Sequence, residues 1–238
     1  MLSVDRKEEL EQFIKTLNIE KTDVGLLDVA LTHPSFNFEK NIDDAPDYER
    51  LEFLGDSVLR LVISEILFDK YQNYDEGNLT KIRSYLVSDE FLAQLAEKIN
   101  LGDVLKIGHH EEKDGGRKKE SILACAMEAV FGAVFKSCDF DAAKEFISKI
   151  YNMIEVDVSM ILYMYNSKEL LQQYTQSKTK SLPDYELTKE YGKAHNKTYE
   201  VCVKYQGDIL GTGEAKTKKE AEKIAAFNAL KKLKIVKE

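Results

Sequence analysis

Residues 48–68 read YERLEFLGDSVLRLVISEILF. At about 100° per residue, Leu51, Leu54, Val58, Leu61 and Val62 fall on one side of a helix, and Glu49, Glu52 and Asp56 gather within roughly 60° on the other. Phe53, Leu59 and Ile63 flank that acidic stripe. Two meanings fit. The stripe is a solvent face, with Arg60 four residues beyond Asp56 as a surface ion-pair partner. Or it is a carboxylate cluster among apolar neighbours, where like charges raise one another's pKa until a cation compensates them.

A second segment bears on the choice. SILACAMEAVFGAVF, residues 121–135, is fifteen residues long and carries a single charge, Glu128. A carboxylate alone in a buried helix is unfavourable unless it is paired or binds a metal. Two helices offering acids to one centre supply hard oxygen ligands of the kind Mg²⁺ takes together with water and phosphate oxygens. Such a site suits phosphodiester hydrolysis.

The surrounding chain separates into two parts. From 2 to 163 the periodicity is helical nearly throughout, as in DRKEELEQFIKTL, SDEFLAQLAEKI and DAAKEFISKIYNMI. The helical NSKELLQQYTQSK is followed by PDYELTKEYG, KTYEVCVKYQG and ILGTGEAKT, three alternating stretches punctuated by Gly or Asn, and then by KKEAEKIAAFNALKKL. The order is helix, three strands, helix. An all-α domain over 1–163 and a small α+β domain over 164–238 are predicted, joined without a Pro- or Gly-rich linker.

Charge divides in the same place. Residues 167–238 hold 15 Lys and no Arg against 10 acids, net +5, whereas residues 1–166 hold 19 Lys and Arg against 32 acids, net −13. A basic module points to a polyanionic partner, and an acidic module repels that partner unless cations intervene. Ordinary solvated surfaces would divide in the same way. No run of eighteen apolar residues occurs, and MLSVDRKEELEQF is charged from its fifth residue, so neither a membrane span nor a signal peptide is predicted and a cytoplasmic location is expected. Cys125, Cys138 and Cys202 lack the paired spacing of a zinc site and read as reduced thiols.

The segment ERLEFLGDSVL closely resembles the signature of bacterial ribonuclease III. The resemblance extends through LTHPSF (31–36), DEGNLTKIRSYLVS (75–88) and GGRKKESILA (115–124) into 125–135, and the C-terminal module is similar to the double-stranded-RNA-binding domain that follows the nuclease domain in that family. It implies a Mg²⁺-dependent homodimer, with Mn²⁺ as an alternative ion, that hydrolyses both strands of duplex RNA. The expected products carry 5′-phosphate and 3′-hydroxyl ends with two-nucleotide 3′ overhangs, and the expected use is rRNA and mRNA processing. By position, Glu52 matches a metal ligand, Asp56 the acid of catalysis beside the metal, and Glu128 a ligand essential for activity. Glu49, Glu76 and Glu111 match acids of the cleavage valley, in the outer shell or in contact with RNA. In the binding module, Gln172, Gln173 and His195 match positions that enter minor grooves of the duplex.

Lys216, Lys218 and Lys219 stand at the start of the last helix, where ammonium groups and exposed backbone N–H groups together favour phosphate. A soluble helix end would carry the same lysines. Duplex RNA is read through shape, 2′-hydroxyls and phosphates, because its major groove is too deep and narrow for side chains. The loop GKAHNK has Lys193 where the family usually has proline. The larger departure is Cys125, which occupies the place of a metal-binding aspartate one turn before Glu128. A thiol is a soft ligand, poorly matched to Mg²⁺. His109 and His110 are adjacent loop residues, a spacing that seldom converges on one ion. Three readings remain open: a metal-dependent duplex-RNA endonuclease, a scaffold that binds duplex RNA without cutting it, and a phosphohydrolase of small nucleotides. The basic module disfavours the last.

Overall fold

The computed structural model describes residues 2–42, 44–193 and 197–236. They divide into two compact units, residues 1–156 and 157–238. The first contains nine α-helices among its described residues: α1 (Val4–Leu17), α2 (Val24–Ala30), α3 (Pro34–Glu39), α4 (Glu49–Lys70), α5 (Glu76–Leu86), α6 (Asp89–Lys98), α7 (His109–Lys113), α8 (Glu120–Ser137) and α9 (Phe140–Tyr151). Side-chain oxygens of Ser3, Asp23, Asp75, Ser88 and Asp139 accept from backbone amides in the first turns of α1, α2, α5, α6 and α9. Amides that have no partner inside the helix are satisfied in this way, which fixes where each helix begins.

The apolar helix α8 lies at the centre of this unit, with α2, α4, α6 and α9 packed around it. Ala126, Met127, Ala129, Val130, Phe131 and Ala133 on α8 are fully buried. Phe131 meets Phe146 of α9 edge to face, with ring centroids 5.7 Å apart. On α4 the inward face is Leu51, Val58, Leu59, Val62, Ile63 and Leu67. Two residues depart from the helical-wheel expectation: Leu61 is 58% exposed and Phe53 is 78% exposed. The acids therefore have Phe53 on an open surface beside them rather than as a packed flank.

The second unit contains α10 (Val158–Tyr165), α11 (Ser167–Thr179), β1 (Asp184–Tyr191), β2 (Thr198–Tyr205), β3 (Asp208–Ala215) and α12 (Lys218–Lys232). Its antiparallel sheet has the order β1-β2-β3. Gln206 and Gly207 join β2 to β3 with φ of 54° and 90°, a two-residue turn whose backbone twist matches the strands it connects. A Cβ at Gly211 or Gly213 would stand 2.4 Å from the Ala225 carbonyl oxygen or 2.2 Å from that of Ala221. Glycine on the strand and alanine on the helix thus let β3 and α12 meet at their backbones.

The units meet seven residues before the 163/164 join suggested by the sequence, at 156/157. The difference is α10, whose Met160 and Tyr163 pack on the core of Leu171, Val203, Ala225 and Ala229. Its helical periodicity continues that of the first unit, so the sequence shows no break there.

Candidate functional site

Two glycines set the site by letting α4 and α8 cross backbone to backbone. A Cβ at Gly55 would stand 1.8 Å from the Glu128 carbonyl oxygen, and one at Gly132 would stand 2.3 Å from the Leu51 carbonyl oxygen. Glu52 and Asp56, on the turn of α4 that carries Gly55, act electrostatically on Glu128 of α8. Burial is the largest influence on Glu128 and pushes its carboxyl up to about 8, with further repulsion from Asp56, Glu52 and Asp89. Arg60 opposes the shift, but its Nε is committed to Asp56, at 2.7 and 2.9 Å from the two carboxylate oxygens. The surface ion pair foreseen as one meaning of the stripe therefore forms, and Glu128 remains uncompensated.

Cys125 stands one turn before Glu128 and donates its S–H to the Glu52 carboxylate. Burial first, then that bond and the charges of Glu52, Glu128 and Asp89, push the thiol up to about 12. In the metal-free protein it stays protonated at neutral pH. Two tyrosines close the polar cluster. Tyr48 is buried, and burial with the nearby Cys125 and Glu52 raises its hydroxyl far above the ordinary range. Tyr151 donates to the Leu86 carbonyl at 2.8 Å and is raised by burial and by Glu128.

Among the described residues, no three His, Cys, Asp or Glu side chains already stand close enough to share a metal ion. The donor chemistry of Glu52, Asp56 and Glu128 nevertheless fits a hard divalent cation, since all three offer carboxylate oxygens and lack compensation from a nearby base other than Arg60. Glu49 is exposed at the first turn of α4. Glu76 opens α5 and accepts from Thr80 Oγ1 at 3.1 Å. Glu111 pairs with Lys119, a hydrogen bond that holds its carboxyl below the usual range. It also acts on His33, whose ring meets Tyr48 edge-on with centroids 5.4 Å apart. Glu111 is thereby linked to the cluster through His33 and Tyr48. The rings of His109 and His110 lie 6.3 Å apart at 59°.

Sequence reasoning did not single out His33, Tyr48, Asp89 or Tyr151. The first two lie in or beside the LTHPSF and ERLEFLGDSVL segments, which was an available signal. Asp89 and Tyr151 reach the site only through the packing of α6 and α9 and left no signal of their own. A half-open cavity of about 290 Å³ between α1, α8 and α9, lined in part by Leu17, Thr22, Cys138 and Phe146, contains none of these acids. The acids open instead onto a surface with exposed Glu49 and Arg60, a form suited to a long ligand.

In the second unit, Gln172 and Gln173 are exposed on α11, and Gln173 Nε2 donates to Glu169 at 3.1 Å. Thr217 caps α12, and Lys218 and Lys219 extend from its exposed first turn. Lys218 Nζ stands 5.5 Å from the Tyr199 ring centroid, and Lys216 Nζ lies 3.3 Å from Thr198 Oγ1. His195 lies outside the described residues.

A pH dependence follows from Glu128. Its folded value of about 8 lies above the ordinary 4.5, so between these values the folded state holds a proton that the unfolded state has released. The stabilisation is complete below the ordinary value and is lost as pH rises toward 8. In metal-free protein the melting temperature of the first unit should fall across this window, and Glu128→Gln should flatten the fall. Thermal unfolding in chelator at several pH values checks it; parallel profiles for the two proteins would show that Glu128 does not titrate there.

Comparison with known proteins gives matches to both units. Residues 23–154 match the Ribonuclease-III-like family model, and residues 167–233 match the Double-stranded RNA binding motif. A protein named Ribonuclease 3 from Borreliella burgdorferi is 42% identical over 235 residues, covering 95% of this chain and 92% of that protein. One of the same name from Treponema denticola is 40% identical, covering 98% of this chain and 94% of that protein. A solved nuclease domain of ribonuclease III from Campylobacter jejuni, described as flexible in a region involved in dimer formation, superposes with a TM-score of 0.56 at 40% identity. It covers 60% of this chain and 96% of that one.

Proposed function

The chain belongs to the ribonuclease III family, and from that premise we propose that it cleaves both strands of duplex RNA with a divalent ion, Mg²⁺ or Mn²⁺, leaving 5′-phosphate and 3′-hydroxyl ends with two-nucleotide 3′ overhangs. Double-stranded-RNA endonuclease activity follows from the family, and rRNA and mRNA precursors are the expected substrates. The observation that carries it is Glu128, a half-buried carboxylate pushed up to about 8 and facing two further acids without a base of its own. Perturbed carboxylates of this kind gather where a site is built for an absent charge.

Glu52, Asp56 and Glu128 would hold the ion, with Glu49, Glu76 and Glu111 in the outer shell or at the RNA. Such an ion lowers the pKa of a bound water and neutralises charge on a phosphate. Asp56, oriented by its two bonds to Arg60, is the acid placed beside the reacting phosphate. Lys216, Lys218, Lys219, Gln172, Gln173 and His195 bind the duplex. A homodimer in the cytoplasm completes the reading. Its support is an exposed apolar row on α4, Phe53, Leu61 and Phe68, at 78%, 58% and 71% exposure, which a second copy would cover.

The scaffold reading keeps one observation of its own, the protonated Cys125 bonded to Glu52 at a ligand position. Incubating end-labelled duplex RNA with the protein, with and without Mg²⁺ or Mn²⁺, decides between the two: metal-dependent cutting is expected, and binding without cutting at every metal concentration establishes the scaffold.

The binding module has a separate test. If Lys218 and Lys219 each neutralise one phosphate, replacing both by Ala weakens binding to all duplexes alike and reduces the slope of log affinity against log salt by about 2. Fluorescence anisotropy across a salt series reads this directly; an unchanged slope places both lysines off the RNA.

A further inference from the structure

Helix α7, which carries Glu111, has five residues, and Gly108 before it offers no side chain to cap its first turn. A helix this short does not hold itself in water. Its anchors come from elsewhere. Ser35 Oγ, in the first turn of α3, accepts from the Gly108 amide at 2.9 Å, and the Glu39 carboxylate at the end of α3 accepts from the His109 amide. A Cβ at Gly108 would stand 2.7 Å from the Ser35 carbonyl oxygen, so glycine is what lets the start of α7 come this close to α3. On its other side α7 is tied by its own acids, Glu112 to Arg117 Nε at 2.6 Å and Glu111 to Lys119, the residue that leads into α8.

Ser35 is itself held from the α4 side. Its hydroxyl lies 2.7 Å from His33 Nδ1, and its amide donates to the same nitrogen at 3.1 Å. A ring nitrogen that accepts from an amide carries no proton, so the Ser35 hydroxyl donates to it and keeps its lone pairs for Gly108. The His33 ring stands edge-on to Tyr48 with centroids 5.4 Å apart. The Tyr48 amide in turn donates to the Thr32 carbonyl at 3.0 Å, and the Tyr48 carbonyl accepts from the Glu52 amide at 2.8 Å. An unbroken run of contacts thus leads from the turn of α4 that bears Glu52, through His33 and Ser35, to α7.

We propose that Ser35 is a positioning residue for cleavage, one that fixes the place of Glu111 by holding the start of α7 against α3. This deepens the nuclease reading above, on which it rests, since Glu111 serves there in the outer shell or at the RNA. The Ser35 hydroxyl is committed to Gly108 and His33, so it acts through Glu111 rather than on the substrate.

The test is a double-mutant cycle on the full chain, with Ser35→Ala, Glu111→Gln and the pair, and with Ser35→Thr as the conservative variant. Single-turnover cleavage of a labelled duplex is measured at saturating Mg²⁺, and each protein is melted beside it. Ser35→Ala should slow cleavage about tenfold, the scale of losing a contact that orients a site residue, with a melting temperature close to that of the parent. Ser35→Thr keeps the hydroxyl and should cut within about twofold of the parent. Glu111→Gln should itself slow cleavage, and in that background Ser35→Ala should cost less than about twofold more, because the residue it positions no longer acts. A merely structural role for Ser35 would give equal losses in both backgrounds. That result, a Thr variant as slow as Ala, or a Glu111→Gln variant that cuts at the parental rate overturns the proposal while leaving the nuclease reading in place. A parent chain that cuts at no metal concentration overturns both.

Discussion

Replacing Glu128 by Gln is expected to abolish duplex cleavage, by on the order of a thousandfold or more, while duplex binding changes little. Gln preserves the size of the side chain and its place on α8, so the core of Ala126, Met127, Ala129 and Phe131 is undisturbed. What disappears is the charge that burial and three neighbouring acids make unfavourable in the absence of a cation. A group held at such a disadvantage is stabilised most by the ion that relieves it, and its removal weakens the ion's hold correspondingly. The Lys218 and Lys219 side chains are untouched in the other unit, which is why binding should persist. Cleavage of a labelled duplex and anisotropy on the same RNA separate the two effects. A Gln variant that cuts at the parental rate would remove Glu128 from the metal site and leave its raised pKa as a consequence of burial alone.

The legible part of this protein is the part written in periodicity. The inward face of α4 follows from the three-to-four spacing of Leu51, Val58 and Val62, and the three strands follow from alternation bounded by Gly and Asn. Glu128 could be singled out because a lone charge in an apolar helix is unusual at any position. Burial at the edges was not legible. Leu61 lies at the edge of the inward sector and Phe53 beside the acidic stripe, and spacing alone does not show that both face solvent. The contributions of Asp89, Tyr48 and Tyr151 were illegible for another reason. They depend on where α6, α9 and the segment before α4 come to rest against α8, and a single sequence does not encode that approach in any local pattern.

The glycines of the helix crossing are the clearest case, and they carry the second large effect. Gly55 and Gly132 each lie inside a helix, where glycine is worse than alanine by about 1 kcal/mol. On propensity alone Gly55→Ala should stabilise. The packing reverses the sign: the new methyl would overlap the Glu128 carbonyl oxygen, 1.8 Å from the ideal Cβ position, and backbone cannot move aside as a flexible side chain can. The helices must separate, which loosens the most extensive helix pair in the first unit and draws Glu52 and Asp56 away from Glu128. A loss of about 3 kcal/mol or more is expected, at the upper end for overpacking, equivalent to a fall of about 10 °C in the melting temperature of a unit this size. Cleavage should fall with it, whereas the separately cored second unit should keep its own unfolding transition and its affinity for duplex RNA. Gly77→Ala is the control, since its Cβ would meet only Asp75 Oδ1 at an ordinary 3.6 Å, and it should be neutral or slightly stabilising. Calorimetric melting of the three proteins decides the matter. If Gly55→Ala melts with the parent, the helices tolerate the methyl, and the meeting of the acids does not depend on the close approach of α4 and α8.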